Sequence, residues 1–400
     1  MSCYNPSKIS FTNISYNYIN LAKNFNLNVC AYKSDSETCT VYYQFNSQGL
    51  FYQKDLKHNY FFSKYKISYE LYKSSDLKHI IDSSSFIIVD SIHYYTPSEI
   101  FNNFTIRMKD GDSYVLAFTL CELSKKYAST KFINITCQNL LGRNSFQLLD
   151  VNNNPIVLNY ISKRDKITIV CRDAKIPKLY VSYFNKSFPI AAPPFLVTSN
   201  TALPFKPDSV YTIEMNDGKS NQISFNNQGI YHFQTDTTQK EGFTLFRFFD
   251  DFPEVTSAEQ MLPPLSYITS KAEYTGMSSR KNSKESIDNF WMEKAGNPDR
   301  AVELIKSYYN RVQDANRFFT SYTDGWKTDR GMIYIIFGQP LNVYRSATNE
   351  TWDYGEDRNM LSVTLVFTKT YNPFTDNDYI LERSVTYKDM WYNAVEKWRR

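Results

Sequence analysis

The chain has 400 residues, enough for two or three domains of roughly 100–200 residues each. Aromatic residues make up 16% of it (32 Tyr, 29 Phe and 5 Trp), so the chain can bury substantial cores and wholesale disorder is excluded. With only 4 His and 12 Gly, His-based metal or acid–base chemistry and phosphate-binding loops are disfavoured. A net charge of +4, from 45 basic and 41 acidic residues, is too balanced for a nucleic-acid footprint.

Neither a membrane-spanning segment nor a signal peptide is recognisable. The longest apolar runs, such as residues 333–337, fall far short of the ~20 residues that cross a bilayer. Residues 1–6 have no apolar stretch of the kind that a leader needs. We therefore expect either a cytoplasmic protein or a mature form without its leader.

The cysteines predict no metal site. They form no CxxC pair and have no ligand-like spacing, so we expect no zinc and no other metal or cofactor. Cys30 and Cys39 are close enough in sequence to bridge a hairpin, although small buried thiols are the more common use of such residues in strands. Cys3 lies where a bacterial lipoprotein would place its first mature residue.

Residues 1–139 are predicted to form an antiparallel β-sandwich-like domain. Short apolar or alternating segments separated by polar turns indicate strands at 40–45, 50–53, 67–72, 86–90 and 133–137. Residues 104–108 and 114–121 are predicted to pair as a hairpin across Asp110-Gly111, because Asp-Gly suits the positive φ of tight turns. Residues 125–130 are expected to be a connecting turn.

Residues 140–252 are predicted to form a second β-sandwich-like domain. Its candidate strands are residues 166–171, 178–184, 210–215, 222–225, 229–233 and 242–249, with a hairpin turn at Asn216-Asp217-Gly218. Residues 188–207 contain five prolines and are expected to cross the domain in an extended form, since proline lacks the N–H that a sheet needs.

Residues 253–400 are predicted to form a helical segment followed by a small α+β module. Helices are expected at 284–294 and from Asn297-Pro298-Asp299 onward, where an Asn cap precedes a proline and an acid. A buried strand is expected at 332–337, another at 361–368, and a last helix at 384–399. The predicted fold class is therefore mainly β with a C-terminal α+β module.

A specific resemblance lies in this last segment. It is carried by Phe290-Trp291, Tyr309-Asn310-Arg311-Val312, Ala315-Asn316-Arg317-Phe318, Gly325-Trp326-Lys327-Thr328-Asp329-Arg330-Gly331, Ile333-Tyr334-Ile335, Phe337-Gly338-Gln339-Pro340 and Trp352-Asp353-Tyr354-Gly355. Over residues 285–370 this string resembles the GWxTD-domain family of the Bacteroidota. The resemblance implies an exported, often lipid-anchored protein and supplies no established enzymatic activity. It makes Cys3 the candidate lipid anchor, at the outer membrane and on the periplasmic side, because residues 4–8 lack the acidic cluster of many surface-exposed lipoproteins.

Two interpretations of the motif are open. As an active site, it would use Asp329 as acid or base, Thr328 as nucleophile and Arg330 as an anion clamp. As a structural signature, Gly325 would end a helix in a left-handed cap, Trp326 would fill the junction between helices and sheet, and Thr328 and Asp329 would bond to turn N–H groups before Gly331 admits a strand. We favour the structural interpretation, since no His follows His232.

Other candidate sites are weaker. Asp250, Asp251 and Glu254, or Asp376 and Asp378, could form a Ca²⁺ site or a glycosidase carboxylate pair, although turns commonly contain Asp. Ser/His/Asp catalysis is not supported, because the sequence has no nucleophile motif such as G-x-S-x-G to accompany a histidine. The four histidines are His58, His79, His93 and His232.

The sequence thus favours a non-enzymatic interaction protein that binds protein partners as an accessory subunit of an outer-membrane secretion, transport or assembly complex. It predicts no binding of nucleic acid. The alternative is a carbohydrate-binding protein or hydrolase that uses aromatic platforms and paired carboxylates.

Overall fold

The computed structural model describes residues 13–18, 25–94, 96–137, 141–197, 205–355 and 362–400. The fold is mostly β, with 38% strand and 24% helix and with antiparallel sheets, which confirms the predicted fold class. The chain divides into two compact units, one of residues 1–186, 206–247 and 344–347 and one of residues 187–205, 248–343 and 348–400. The domain boundaries expected after residues 139 and 252 stay predictions.

The first part of the first unit consists of two sheets around a shared core. Its strands are β1 (Asn28–Lys33), β2 (Thr38–Asn46), β3 (Gln53–Asp55), β4 (Tyr60–Lys73), β5 (Asp76–Ile92), β6 (Glu99–Arg107), β7 (Ser113–Glu122) and β8 (Tyr127–Thr136). One sheet has the order β1-β2-β6, and the other has the order β3-β4-β7-β8 with β5 also paired to β4. Val41 of β2 and Leu116 of β7 are fully buried in the same cluster, so alternate residues of both sheets face one interior.

The hairpin predicted across Asp110-Gly111 is wrong. The chain does turn there, with Gly111 at φ +88°, but β6 pairs with β2 whereas β7 pairs with β4 and β8. Ile106 and Leu116, from the two sides of the turn, meet in the core instead. An Asp-Gly turn reverses the chain, but long-range burial decides whether the flanking strands pair edge to edge or pack face to face.

Two shorter expectations in this part also differ from the structure. The strand expected at 50–53 begins only at Gln53. The connecting turn expected at 125–130 instead includes the beginning of β8, which pairs with β7 from Tyr127 onward.

The second part of the first unit is one eight-stranded sheet. Its strands are β9 (Phe146–Leu149), β10 (Lys166–Cys171), β11 (Lys178–Phe184), β12 (Ser209–Asn216), β13 (Lys219–Ser220), β14 (Ile223–Ser224), β15 (Gly229–Gln234) and β16 (Phe243–Arg247). The turn predicted at Asn216-Asp217-Gly218 is confirmed, with φ of 48° at Asp217 and 75° at Gly218 and with β12 paired to β13. Ile169, Val181 and Phe233 come from different strands and share one core.

The C-terminal part of the chain combines helices with a four-stranded sheet. The helices are α1 (Ala258–Met261), α2 (Lys271–Ser278), α3 (Ser283–Ala295), α4 (Pro298–Phe319), α5 (Asp329–Phe337) and α6 (Lys388–Glu396), and the sheet has the order β17 (Asn342–Arg345), β18 (Asn349–Tyr354), β19 (Val363–Lys369), β20 (Tyr379–Leu381). The predicted start of α4 is confirmed, because the Asn297 side chain accepts a hydrogen bond from the N–H of Arg300. Within the described residues, no helix is both long and apolar enough to span a bilayer.

The strand predicted at residues 332–337 is wrong, because this segment belongs to helix α5. Residues 329–336 are all buried, so the helix shows no polar face from which a helical period could be read. A short apolar run fits a buried strand and a buried helix equally well. The side chain of Thr328 favours the helix, because it caps the first turn.

The proline-rich segment does not cross the second β part as expected. Of its described residues, 188–197 and 205 belong to the second unit, whereas 206 and 207 belong to the first. In the second unit the N–H of Ala191 donates to the carbonyl of Lys327 at 2.9 Å. The carbonyl of Pro194 accepts from the N–H of Ser384 at 3.1 Å. Proline carbonyls remain acceptors when the N–H is missing, so an extended proline-rich chain can still be fastened by donors of another element.

Candidate functional site

The first residue of the GWxTD motif, Gly325, lies in tight contact with α4. A Cβ on Gly325 would lie 2.0 Å from the carbonyl oxygen of Ala315, so only glycine permits this approach. Its φ is not in the left-handed range, and Gly325 therefore begins a 3₁₀ turn instead of forming the expected left-handed cap.

Trp326 is buried and fixed at both ends of its backbone. Its N–H donates to Oδ1 of Asn316 at 3.2 Å, and its carbonyl accepts from the hydroxyl of Tyr267 at 3.0 Å. The ring of Tyr267 meets the indole edge-on, with centroids 6.1 Å apart. Trp326 thus joins α4, through its backbone N–H, to the segment that precedes α2.

Thr328 and Gly331 form the start of α5. The Thr328 hydroxyl accepts from the N–H of Gly331 at 3.1 Å and donates to the carbonyl of Gly325 at 2.8 Å. A Cβ on Gly331 would lie 1.9 Å from that same carbonyl oxygen. Gly325 and Gly331 are therefore in close contact, and this contact packs the 3₁₀ turn against the start of α5.

Asp329 is a buried carboxylate that links three segments. Its Oδ2 accepts from the N–H of Leu381 at 2.8 Å and from Arg383 at 3.0 Å, and its Oδ1 accepts a second bond from the same guanidinium. The Asp329 and Arg383 side chains are each 9% exposed. Arg383 also donates to the carbonyl of Ala192 at 3.2 Å, which ties the proline-rich segment to the motif.

Arg330 forms a second buried ion pair on the other side of α5. It lies 3.3 Å from Glu350, and both side chains are almost completely buried. Its guanidinium stacks 4.0 Å from the ring centroid of Tyr379 and donates to the Asn377 carbonyl at 3.0 Å. The other Glu350 oxygen accepts from the indole N–H of Trp352 at 2.7 Å.

These bonds limit what the motif can do chemically. Both oxygens of Asp329, the hydroxyl of Thr328 and the guanidinium of Arg330 are engaged with neighbouring protein groups. A general base or nucleophile must instead present a free atom to a substrate. The geometry therefore favours the structural interpretation of the motif.

Sequence reasoning missed the partners that complete this network. Glu350, Asn377 and Arg383 lie in segments that carry no recognisable motif. Asn316 belongs to the resemblance run at residues 315–318, but that run does not reveal that its side chain binds the N–H of Trp326. A polar residue on an apolar helix face is a signal for such a partner, because buried polar side chains are almost always hydrogen-bonded.

The carboxylates proposed for Ca²⁺ or sugar chemistry have other partners. Glu254 forms an ion pair with Arg317, and Asp251 accepts from the hydroxyl of Thr256 at 2.6 Å. Asp378 accepts from the side-chain amide of Asn372 at 2.8 Å, and burial raises the pKa of its carboxyl. In the part of the chain that the structure describes, no group of three His, Cys, Asp or Glu residues could hold a metal ion.

The histidines and cysteines lie outside this network. His58 and His79 are exposed and lie beside Asp55 and Asp76, respectively. His93 is exposed, whereas His232 is buried in β15. Five described cysteines are free thiols, namely Cys30, Cys39, Cys121, Cys137 and Cys171, and of the pair at 30 and 39 only Cys39 is buried. Cys3 lies outside the described residues.

The family comparison agrees with the motif. Residues 229–400 match the model of the GWxTD domain. The C-terminal part of this chain is a GWxTD domain. The match begins at β15 and includes Asp329, Arg330 and their side-chain partners, and the predicted resemblance is confirmed. Among curated proteins, none matches the chain.

Solved structures add only distant likenesses. A β-glucuronidase 2 of Bacteroides uniformis is 8% identical with a TM-score of 0.19, covering 28% of this chain and 13% of its own. A glycosyl hydrolase family 2 member of Bacteroides cellulosilyticus is 8% identical with a TM-score of 0.21, covering 34% and 16%. A β-glucuronidase of Bacteroides uniformis is 10% identical with a TM-score of 0.20, covering 31% and 14%. The matched region thus spans less than a fifth of each enzyme, and at these scores the likeness carries no argument about this chain.

Proposed function

We propose that this GWxTD protein is a non-enzymatic, exported interaction protein that serves as an accessory subunit of an outer-membrane secretion, transport or assembly complex. In this proposal a lipid on Cys3 anchors it, and the protein faces the periplasm. The GWxTD domain supports export, because the family resemblance implies it. The internally bonded motif supports a structural role for the domain.

The observation that carries the proposal is the long strand β5. It has 17 residues, and in the described part of the chain it pairs with β4 alone. Its outer edge therefore offers backbone N–H and C=O groups that no described strand occupies. Natural proteins normally protect such an edge with lysine, proline or a covering element, or use it to bind another strand.

The centre of β5 lacks those protections. Residues 83–89 read Ser-Ser-Ser-Phe-Ile-Ile-Val and contain neither charge nor proline. Phe86, Ile87 and Val89 are 45%, 66% and 54% exposed. Side chains of this kind beside an open backbone edge fit an extended, apolar partner segment that adds a strand to the sheet.

The test is affinity purification of the tagged full chain from solubilised outer membranes. We expect a stoichiometric protein partner with the wild type and loss of that partner with the double variant Ile87→Lys/Val89→Lys. Val302→Lys is the matched control, because Val302 is 48% exposed on α4 and lies outside β5. This control should retain the partner.

Three outcomes would contradict parts of the proposal. Recovery of the chain alone, or only of further copies of itself, would contradict the role as a complex subunit. Retention of the partner by the β5 double variant would remove β5 as the docking element. Hydrolysis of a polysaccharide by the purified chain would contradict the non-enzymatic assignment.

A further inference from the structure

Strand β6 lies at an edge of the three-stranded sheet of the first unit. In the described part of the chain it pairs with β2 alone, along its whole length from Glu99 to Arg107. One side of its backbone therefore has no neighbouring strand among the described residues. Such an edge is a template for pairing with a strand of another chain.

The hydrogen bonds between β2 and β6 show which residues face this open edge. The N–H of Ser47 donates to the carbonyl of Ser98 at 2.9 Å, and the N–H of Met108 donates to the carbonyl of Glu37 at 2.7 Å. Hydrogen-bonded pairs alternate along an antiparallel ladder, so the even-numbered residues of β6 bond to β2. The odd-numbered residues therefore point their N–H and C=O groups to the open edge. They are Glu99, Phe101, Asn103, Thr105 and Arg107.

Asn103, at the centre of β6, shows how this edge is satisfied within a single copy. Its N–H donates to Oδ1 of the preceding residue, Asn102, at 2.8 Å. Asn102 is exposed. This local bond can be exchanged for a ladder bond at little cost, because one hydrogen bond replaces another.

The odd-numbered side chains of β6 are all exposed, and the two charged ones lie at its ends. Glu99 is four residues before Asn103, and Arg107 is four residues after it. Glu99 accepts from the side-chain amides of Gln44 and Asn46 at 3.3 and 3.0 Å. Among the described residues, neither Glu99 nor Arg107 has a partner of opposite charge.

These positions make β6 complementary to itself. When two copies of the strand pair antiparallel with Asn103 opposite Asn103, Glu99 of each copy lies opposite Arg107 of the other. Odd-numbered residues then lie opposite odd-numbered residues, so their outward N–H and C=O groups can join one ladder. A register shifted by two residues would preserve the ladder but would separate both charge pairs.

We infer that two copies of this chain associate through β6, in an antiparallel pairing centred on Asn103 that joins their three-stranded sheets. Opposite charges directly across a strand pair are favourable and like charges are unfavourable, so Glu99 and Arg107 favour a second copy in this one register. Phe101 stacks on Tyr42 with ring centroids 6.0 Å apart, so its ring is already held at the interface.

The size of β6 sets the strength of this association. A pair of nine-residue strands buries less surface than a standard protein–protein interface, so we expect a reversible dimer with a micromolar dissociation constant. The pairing uses the edge of the β1-β2-β6 sheet, whereas β5 belongs to the other sheet. The readout is self-association of the purified chain, which needs no partner on β5.

The experiment measures self-association of the purified full chain by sedimentation velocity over a range of concentrations at low ionic strength. We expect a monomer–dimer equilibrium in the wild type. Glu99→Arg and Arg107→Glu should each weaken the dimer at least tenfold, because each places two like-charge pairs across the interface. Arg164→Glu is the matched control on an exposed loop and should leave the equilibrium unchanged.

A mixture of the two charge variants tests the register itself. A heterodimer of Glu99→Arg with Arg107→Glu restores both opposite-charge pairs, so the mixture should dimerise about as tightly as the wild type. Asn103→Pro removes an N–H of the open edge without removing a bond to β2, and it should abolish the dimer.

The thermal midpoint of each variant shows whether it is folded. Three results would overturn the inference: a wild type that is monomeric at every concentration, equal affinity in the wild type and folded Arg107→Glu, or a mixture of the folded charge variants that stays monomeric.

Discussion

Asp329 and Arg383 illustrate how the motif stabilises the GWxTD domain at the scale of single residues. The pair is buried, and the same arginine also holds the carbonyl of Ala192. A buried pair contributes little net stability, but removing one partner leaves an uncompensated charge at a cost of about 3–5 kcal/mol. The presence of both partners therefore matters more to folding than the net attraction between them.

The first prediction concerns this pair. Asp329→Asn should lower the free energy of unfolding by about 3 kcal/mol, because Arg383 loses its counter-charge in a buried site. Urea denaturation measures the change. The control is Asp288→Asn, whose exposed pair with Lys284 should contribute no more than about 0.5 kcal/mol. Equal losses in the two variants would show that Asp329 is not a structural anchor.

The second prediction compares two glycines within helices. Gly331→Ala should destabilise the protein by about 3 kcal/mol, because the new methyl group would lie 1.9 Å from the carbonyl oxygen of Gly325. Gly276→Ala, in α2, meets nothing within 4 Å and should stabilise the protein by about 0.5–1 kcal/mol. Thermal and urea unfolding of both variants test the contrast. The close approach is refuted if Gly331→Ala is neutral.

The third prediction concerns His232 and pH. Burial lowers its pKa to about 4, and its ring nitrogens contact the Thr244 hydroxyl at 2.8 Å and the Lys240 carbonyl at 3.1 Å. Between about pH 4 and 6.5 the unfolded chain binds a proton that the folded chain does not, so this residue makes stability rise with pH. Its contribution across that window should be about 3 kcal/mol.

Urea denaturation at several pH values measures this dependence. His232→Gln should flatten the profile between pH 4 and 6.5, whereas His79→Gln should not, because His79 is exposed. A profile that His232→Gln leaves unchanged would mean that the buried imidazole is not linked to folding in this way.

At the scale of elements, α5 is the helix on which the GWxTD domain depends. It is only nine residues long and is buried from Asp329 to Ile336, so packing and capping stabilise it more than intrinsic propensity does. The Thr328 hydroxyl supplies the cap and also bonds to the preceding 3₁₀ turn. Through these two hydrogen bonds, the Thr328 hydroxyl links Gly325 in the 3₁₀ turn to Gly331 in the first turn of α5.

The fourth prediction tests that cap. Thr328→Ala should cost about 1–2 kcal/mol, because the N–H of Gly331 loses its acceptor in a buried site. Thr328→Ser keeps the hydroxyl and should remain within about 0.5 kcal/mol of the wild type. Guanidinium denaturation of both variants measures the difference. A loss of the same size in the serine variant would mean that the methyl group of Thr328, not its hydroxyl, stabilises the site.

At the scale of the whole molecule, the two units have different uses in the function proposed here. The first unit contains the exposed β5 strand, which lies outside the region that matches the family model. The second unit contains all five tryptophans, each of them buried. We therefore expect recognition to depend on the first unit and folding stability to depend strongly on the second.

The fifth prediction concerns attachment of the whole molecule to the membrane. In cells labelled with a clickable fatty acid, the full-length protein should incorporate label, and Cys3→Ser should remove both the label and the membrane association. Cys121→Ser is the control and should retain both, since Cys121 lies within β7. Label that persists in Cys3→Ser would contradict anchoring at Cys3.

Local patterns in the sequence were sufficient for several parts of this protein. The start of α4 at Asn297-Pro298, the turn at Asp217-Gly218, the mainly β fold class and the GWxTD resemblance all depend on residues that are neighbours in the chain. Capping, turn conformation and alternating burial act over a few residues, so they are readable without the fold.

The tertiary structure alone decided the rest. The sequence around Asp110-Gly111 does not say that β6 pairs with β2, and the apolar run at 332–337 fits a strand as well as the helix that forms. Asp329 meets Arg383 across 54 residues of sequence, and Arg383 meets Ala192 across 191. Such contacts depend on which faces are buried together, and burial is a property of the whole packed chain, not of a local segment.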